Sequence, residues 1–252
     1  MHKRKVLFVL TSASQLGDTG HKTGAYLSEI THAYEEFFRV GREVDMISPL
    51  GGAVPLDGVK MDDPVNAVWM NDEEFSSKLK TTLRPWQVQG SDYAGIYFVG
   101  GHGAMFDFPE NLQLQKLAAE IYEQNGVVGS VCHGAAGIVN VRLSDGIHLV
   151  KDHEVSCFSN KEEETVGMEH ALPFLLENRV QENGGKYSSA SPFSEHFVKS
   201  GRLVTGQNPA SAAGVAKAML EVMDVIDTGR LVPAQNWCEW KGHESRAAGG
   251  PA

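Results

Sequence analysis

The chain has 252 residues, 42% of them hydrophobic and 21% charged, and carries a formal net charge of −10. That length suits one large α/β domain with a substantial core. The acidic balance argues against nucleic acid or an anionic membrane as the main partner. No stretch is apolar enough to span a bilayer, and the apolar run after the basic start is too short for a secretory signal. Cys132, Cys157 and Cys238 leave one thiol unpaired in any disulfide scheme, so a soluble cytoplasmic protein in a reducing compartment is expected.

Val6 to Leu10 is a continuous apolar run, the pattern of a strand buried on both faces. A polar, glycine-bearing loop from Thr11 to Gly24 follows. Leu27, Ile30, Tyr34, Phe37 and Phe38 then fall at near-helical spacing, which predicts a helix over Tyr26–Val40 that Gly41 ends. Val44 to Ser48 reads as a second strand, completing a unit of the size of a parallel βαβ crossover. Residues 49–90 are irregular, with a short helical piece near Asp72 to Leu83, and read as a small cap-like insertion.

Ile96 to Val99 is a third strand, running into Gly100-Gly101-His102-Gly103. A helix over Asn111–Gln124 and a strand over Val127–Val131 come next, the latter ending at Cys132. Gly134 to Gly137 reads as the opening of a helix, and His148 to Phe158 as a strand or hairpin. Leu203 to Thr205 is a late strand and Ala210 to Val225 a closing helix. This alternation predicts an α/β fold with a mostly parallel sheet and helices on both faces. Residues 1–241 form one domain on this reading, and the small, polar stretch 242–252 a disordered tail.

In open α/β sheets, function gathers at the carboxyl ends of the strands. Cys132 stands at such an end, between a buried strand and a helix start built from small residues. The geometry resembles a nucleophile elbow, and free helix N–H groups aimed at the sulfur favour its thiolate. A free cysteine is also among the most buried residue types, but the small flanking residues and His133 favour a reactive thiol. Glycines at 100, 101 and 103 are what a tight turn alone would need, but their N–H groups could also form part of an oxyanion hole with that of His133. Glu29 lies beside the apolar positions of the first helix, where burial would raise its pKa and let it move a proton near neutrality. Glu162, Glu163 and Glu164 form a run that is ordinarily a solvated face, but one of them could orient His133, and spacing alone does not choose among them. Adjacent side chains usually diverge, so the helix N-terminus and Glu29 are expected to matter more to the sulfur than His133. The ten histidines show no metal-motif spacing, so neither metal nor cofactor is expected.

Lys22-Thr23-Gly24 with Glu29, Gly100-Gly-His-Gly-Ala-Met-Phe-Asp-Phe-Pro109, Val131-Cys-His-Gly134 and Gly206-Gln-Asn-Pro-Ala-Ser211 together resemble the ThiJ/PfpI superfamily. Within it, they are similar to its glyoxalase III and heat-shock chaperone branch, over about Lys5 to Leu220. The resemblance implies a flavodoxin-like sandwich, a homodimer and a glyoxalase III-type lyase acting on a small dicarbonyl. It implies Cys132 as nucleophile, Glu29 as its neighbouring carboxylate, His133 as triad histidine and Glu163 as triad acid. Gly101, His102 and His133 fall on the oxyanion and substrate side. Family members often carry proline where this chain has Ala135, which should loosen the turn without removing the chemistry. A holdase that binds unfolded proteins through Trp69, Phe75 and Trp86, and an amidase or deglycase using the same triad, are the alternatives.

Overall fold

The structure, a computed structural model, describes residues 5–228. The amino-terminal half runs β1 (Lys5–Val9), β2 (Ala25–Tyr26), α1 (Leu27–Arg39), β3 (Glu43–Ile47), β4 (Leu56–Asp57), α2 (Pro64–Met70) and α3 (Glu73–Lys80). The middle contributes β5 (Tyr93–Phe98), α4 (Ala104–Asp107), α5 (Leu112–Glu123) and β6 (Val127–Val131). The remainder is β7 (Glu154–Val155), α6 (Asn160–Val166), α7 (Leu176–Glu182), β8 (Lys186–Tyr187), β9 (Phe197–Ser200), β10 (Leu203–Gly206) and α8 (Ala212–Thr228).

A six-stranded sheet in the order β3-β1-β5-β6-β10-β9 carries the fold, parallel except where β9 runs antiparallel to β10. The run Val6–Leu10 is uniformly apolar because both faces of β1 are covered. Val6, Phe8 and Leu10 join a core with Ile30 and Phe37 of α1 and Met219 of α8. Leu7 and Val9 join the opposite core with Leu117 and Ile121 of α5 and Val180 of α7. Period-two alternation thus splits one strand between two cores. The chain leaves β1 for β3 on one side and returns to β5 on the other. The carboxyl ends of β1 and β5 therefore flank a switch point, where open sheets hold their sites.

The main strands and long helices lie within a few residues of their expected bounds, but several expectations change. The segment 49–90 holds two helices rather than one, and Trp69, Phe75 and Leu79 pack into the same core as Phe8. The apolar positions of α2 and α3 face α1: the Trp69 and Tyr34 rings lie 4.6 Å apart between centroids. Of the three aromatics considered for a holdase surface, Trp69 and Phe75 are buried and Trp86 alone is exposed. The stretch expected as a strand or hairpin at 148–158 shrinks to β7 and an isolated bridge from Arg142 to His148. Turns there, with Asp152 at φ +64°, break the extended run. The helix expected after Cys132 is a 3-10 turn over Cys132–Gly137, in keeping with two glycines of low helical propensity. Unanticipated β9 reaches β10 through the tight Gly201-Arg202 turn, with Gly201 at φ +64°. The tail expected at 242–252, and Cys238, lie outside the described residues.

Phe8 is fully buried and its ring meets Phe37 at 5.7 Å and Tyr97 at 4.9 Å between centroids. Phe8→Ala should therefore lower unfolding stability by about 4 kcal/mol. A denaturant midpoint unchanged at constant m-value would contradict the packing described.

Candidate active site

Cys132 follows the last residue of β6 with φ +56°, a left-handed conformation that few residues other than glycine adopt. That turn lifts the sulfur out of the sheet line, and strain of this kind at a non-glycine residue is a recurrent mark of functional sites. The backbone N–H groups of His133 and Gly101 bear on the sulfur and favour its ionised form. They are two of the amides considered for an oxyanion site; that of Gly100, also considered, donates to Glu29 Oε2 instead. The activation of the thiol expected from a helix end is outweighed. Burial and then the neighbouring Glu29 charge push it well above its ordinary value.

Glu29 sits in the first turn of α1 and is fully buried. Two main-chain bonds fix it against the end of β5. Tyr26 N–H donates to the Gly100 carbonyl at 3.1 Å, and Gly100 N–H donates to Glu29 Oε2 at 2.8 Å. The Tyr97 hydroxyl donates to the Glu29 carbonyl at 3.2 Å. Gly100 has no room for a side chain: a Cβ there would lie 2.5 Å from Glu29 Oε2 and 2.9 Å from Cys132 Cβ. Glu29 Oε1 meets no aligned hydrogen-bond partner, yet Cys132 is near enough to affect its ionisation. Burial raises the Glu29 carboxyl to about 8, against the weaker pull of Cys132 and the Gly100 amide. Glu29 is therefore protonated at neutral pH. A neutral carboxyl no longer repels a thiolate and offers it an O–H donor, which removes part of what raises the thiol.

On the other side of the sulfur, His133 Nδ1 lies 3.3 Å from Cys132 Sγ. The expectation that the adjacent side chains diverge does not hold. The left-handed turn at Cys132 brings both side chains to one side. His133 Nε2 meets Glu163 Oε1 at 2.5 Å, and His102 Nε2 meets Glu163 Oε2 at 3.2 Å. Burial followed by His102 lowers His133 to about 4, so the ring is neutral near pH 7. Burial would raise Glu163, but hydrogen bonds from His102 and His133 overturn it and bring the carboxyl down to about 2. With Glu163 ionised, Nε2 of His133 carries the proton and Nδ1 presents a lone pair to the thiol. Phe158 covers the His133 ring at 4.5 Å between centroids.

The three glutamates left open by the sequence separate completely. Glu163 takes the two histidines, and Glu164 is exposed beside Lys161 at 3.2 Å. Glu162 is fully buried and accepts five hydrogen bonds, from Ser159 N and Oγ, Gln207 Nε2, Asn208 Nδ2 and Phe193 N. Its role went unread, although Ser159-x-x-Glu162 is a capping-box signature. Phe193, at φ +60°, had no sequence signal at all. His102, His133 and Glu163 place one ligand-type atom each within 4.8 Å of one another. Their clustering was invisible in the sequence because the residues come from three separate stretches. Ala135 is buried within the turn, and its carbonyl accepts the Ile138 and Val139 N–H groups.

Residues 22–222 match the DJ-1/PfpI family, a span that includes Glu29, His102, Cys132, His133 and Glu163. The chain belongs to the DJ-1/PfpI family. The glutathione-independent glyoxalase HSP31 of Saccharomyces cerevisiae is 31% identical to it, aligning over 88% of this chain and 99% of that protein. Glyoxalase 3 of Candida albicans is 30% identical, over 87% and 98%. Among solved structures, glyoxalase III from Candida albicans superposes with a TM-score of 0.80 at 30% identity, over 88% of this chain and 98% of that one. The 24 kDa Rapid Encystment Protein of Francisella tularensis gives 0.85 at 37%, over 87% and 99%. The flavodoxin-like sandwich expected of a DJ-1/PfpI member is the fold observed, and no described helix is long and apolar enough to cross a membrane.

Two expectations about this DJ-1/PfpI site concern stability. The unfolded Glu29 carboxyl ionises near 4.5, whereas the folded one holds its proton to about 8. Stability is thus fully present below the lower value and falls as pH rises toward the upper one. Glu29→Gln keeps an acceptor for Gly100 and removes this slope, so it should be more stable than the native chain by roughly 3 kcal/mol at pH 7 and by far less at pH 4. Parallel pH profiles for the two proteins in thermal unfolding would refute this. Glu162→Gln sets an amide donor against donors and should cost about 3 kcal/mol, while Glu164→Gln should lie within about 0.5 kcal/mol of neutral. Urea unfolding of the pair checks the contrast.

Proposed function

We propose that this chain is a glutathione-independent glyoxalase that converts methylglyoxal and water into lactate, with Cys132 as nucleophile and Glu29 as proton carrier. The observation that carries the reading is the buried Glu29 carboxyl, raised to about 8, against the sulfur. A hydrolase that uses Cys132, His133 and Glu163 alone has no need of that group. The glyoxalase names of the yeast relatives support the same reading.

The Cys132 thiolate attacks the aldehyde carbon, forming a C–S bond while the carbonyl pair moves onto oxygen. The Gly101 and His133 N–H groups hold that oxyanion, and neutral Glu29 delivers its proton to it, giving a hemithioacetal. Glu29, now a carboxylate, removes the hydrogen from the former aldehyde carbon as the ketone oxygen takes the proton held on His133 Nδ1, giving an enediol. Glu29 returns the carbon-derived proton to the former ketone carbon while the hydroxyl on the former aldehyde carbon gives its proton to His133 Nδ1, leaving a thioester of lactate on Cys132. Water then cleaves the C–S bond, releasing lactate and the thiol. The net change is one proton moved between the two carbons, one moved between the two oxygens and one water added, which needs no glutathione. His133, oriented by Glu163, accepts the thiol proton at Nδ1, and His102 forms the polar wall toward solvent. The reading includes a homodimer and a cytoplasmic location, on neither of which the chemistry depends.

Steady-state turnover of methylglyoxal without glutathione is the test. Cys132→Ser and Glu29→Gln should each lower kcat/KM by at least about 100-fold. Near-native rates in both would end the proposal. Amide release from a peptide panel with no dicarbonyl turnover would favour hydrolysis by Cys132, His133 and Glu163 instead.

A further inference from the structure

A nucleophile's histidine needs one carboxylate oxygen to orient it. Glu163 has an imidazole on each of its oxygens, His133 on Oε1 and His102 on Oε2. The two rings lie face to face at 4.0 Å between centroids, tilted by 37°, with both Nε2 atoms directed at the same carboxylate. The mechanism above uses His102 only as a polar wall, so this second imidazole asks for another account.

We propose that His102 Nε2, His133 Nε2 and the Glu163 carboxylate form a site for a divalent transition cation of the Zn²⁺ type, whose occupation switches the enzyme off. Two neutral imidazole nitrogens and one carboxylate are a ligand set that zinc takes in sites with a fourth position open to water. All three ligand atoms lie within 4.8 Å of one another. Zinc bonds of about 2.0–2.2 Å in a tetrahedral arrangement set neighbouring ligand atoms about 3.4 Å apart. The contact of His102 with Glu163, at 3.2 Å, already fits, and that of His133, at 2.5 Å, must open by a small rotation of the carboxylate. Coordination replaces two N–H···O hydrogen bonds, so each ring must carry its remaining proton on Nδ1. His133 Nδ1 faces Cys132 Sγ at 3.3 Å, a hydrogen-bonded neighbour of the kind that orients a metal-bound imidazole. His102, about one-fifth exposed, is the open side, while Phe158 closes the other with its ring 4.5 Å from His133 and 5.9 Å from His102.

Because the sulfur lies against Nδ1, across the ring from the cation, Cys132 is not a ligand. The cation takes His133 and Glu163 out of the reaction and leaves the thiol itself uncovered. The loss of turnover rests on the proposed glyoxalase function, but the binding does not.

Calorimetric titration of the full chain with zinc chloride separates the two. The native chain and Cys132→Ser should bind one equivalent with equal affinity. His102→Ala should weaken that binding by at least about tenfold. His102→Gln, which keeps a hydrogen-bond donor for Glu163, should lose it equally and guards against a folding defect. Zinc should inhibit methylglyoxal turnover reversibly toward EDTA. Equal binding by the native chain and both His102 variants, or loss of binding in Cys132→Ser, would each overturn the site. Absence of methylglyoxal turnover would sink the glyoxalase reading and leave the calorimetric result standing.

Discussion

The wholly buried Glu29 carboxyl sits between the end of β5 and Cys132, and the surrounding backbone is shaped by the need to hold it there. A carboxyl in such a place is tolerated only if it keeps its proton or finds donors. It has one main-chain donor, the Gly100 amide, and the Tyr26 amide ties the start of α1 to the Gly100 carbonyl beside it. Gly100 must lack a side chain for the carboxyl and the sulfur to share the space. Gly101 must lack one as well, since at φ +101° its backbone packs against the Gly24 carbonyl. The first helix, the third parallel strand and the loop before the helix are thus coupled through one side chain.

Division of labour among Glu162, Glu163 and Glu164 follows from helix geometry. Successive residues on a helix point about 100° apart, so three consecutive carboxylates reach three different surroundings. The capping box at Ser159 sets the phase of α6 and turns Glu162 inward as a structural acceptor. Glu163 is then aimed at the histidines and Glu164 at solvent. By gathering Gln207, Asn208 and Phe193, Glu162 joins the start of α6 to the chain before and after β9 and β10. The strained Phe193 is held beside Phe158, with ring centroids 6.3 Å apart, and Phe158 in turn covers His133.

Much of this was legible in the residues, and the limits are physical. Buried parallel strands announce themselves as apolar runs, as at Val6–Leu10, or as short stretches of small and β-branched residues, as at Val127–Val131, and both were legible within a residue. The long helices α1, α5 and α8 follow from periodicity. Cys132 and Glu29 stood out because a cysteine at a strand end and a glutamate beside an apolar helix face are both unusual. Short elements held by tertiary contacts gave no such signal: α2, α6, α7 and β9 are each too brief for a period to show. The placement of His133 against the sulfur was misread because a left-handed backbone at a cysteine is not visible in composition or spacing. His102 and Glu163 meet through sheet topology, which brings residues 61 positions apart to one carboxylate.

Glu29 and Glu163 are the same chemical group, both buried, on either side of one sulfur, yet the first is raised to about 8 and the second lowered to about 2. Their donors make the difference. Glu163 receives two imidazoles, enough to hold a permanent charge out of water. Glu29 receives one amide and escapes the burden of burial by remaining neutral. A group that stays ionised across the working range can orient a histidine but cannot deliver a proton. A group that titrates near neutrality can deliver and reclaim one. Two titratable groups driven apart by their surroundings in this way are how a site separates an orienting role from a proton-transfer role. The assignment of roles therefore resides in the donors around each carboxyl. Withdrawing the imidazoles from Glu163 would leave it with the same burial problem that Glu29 solves by protonation.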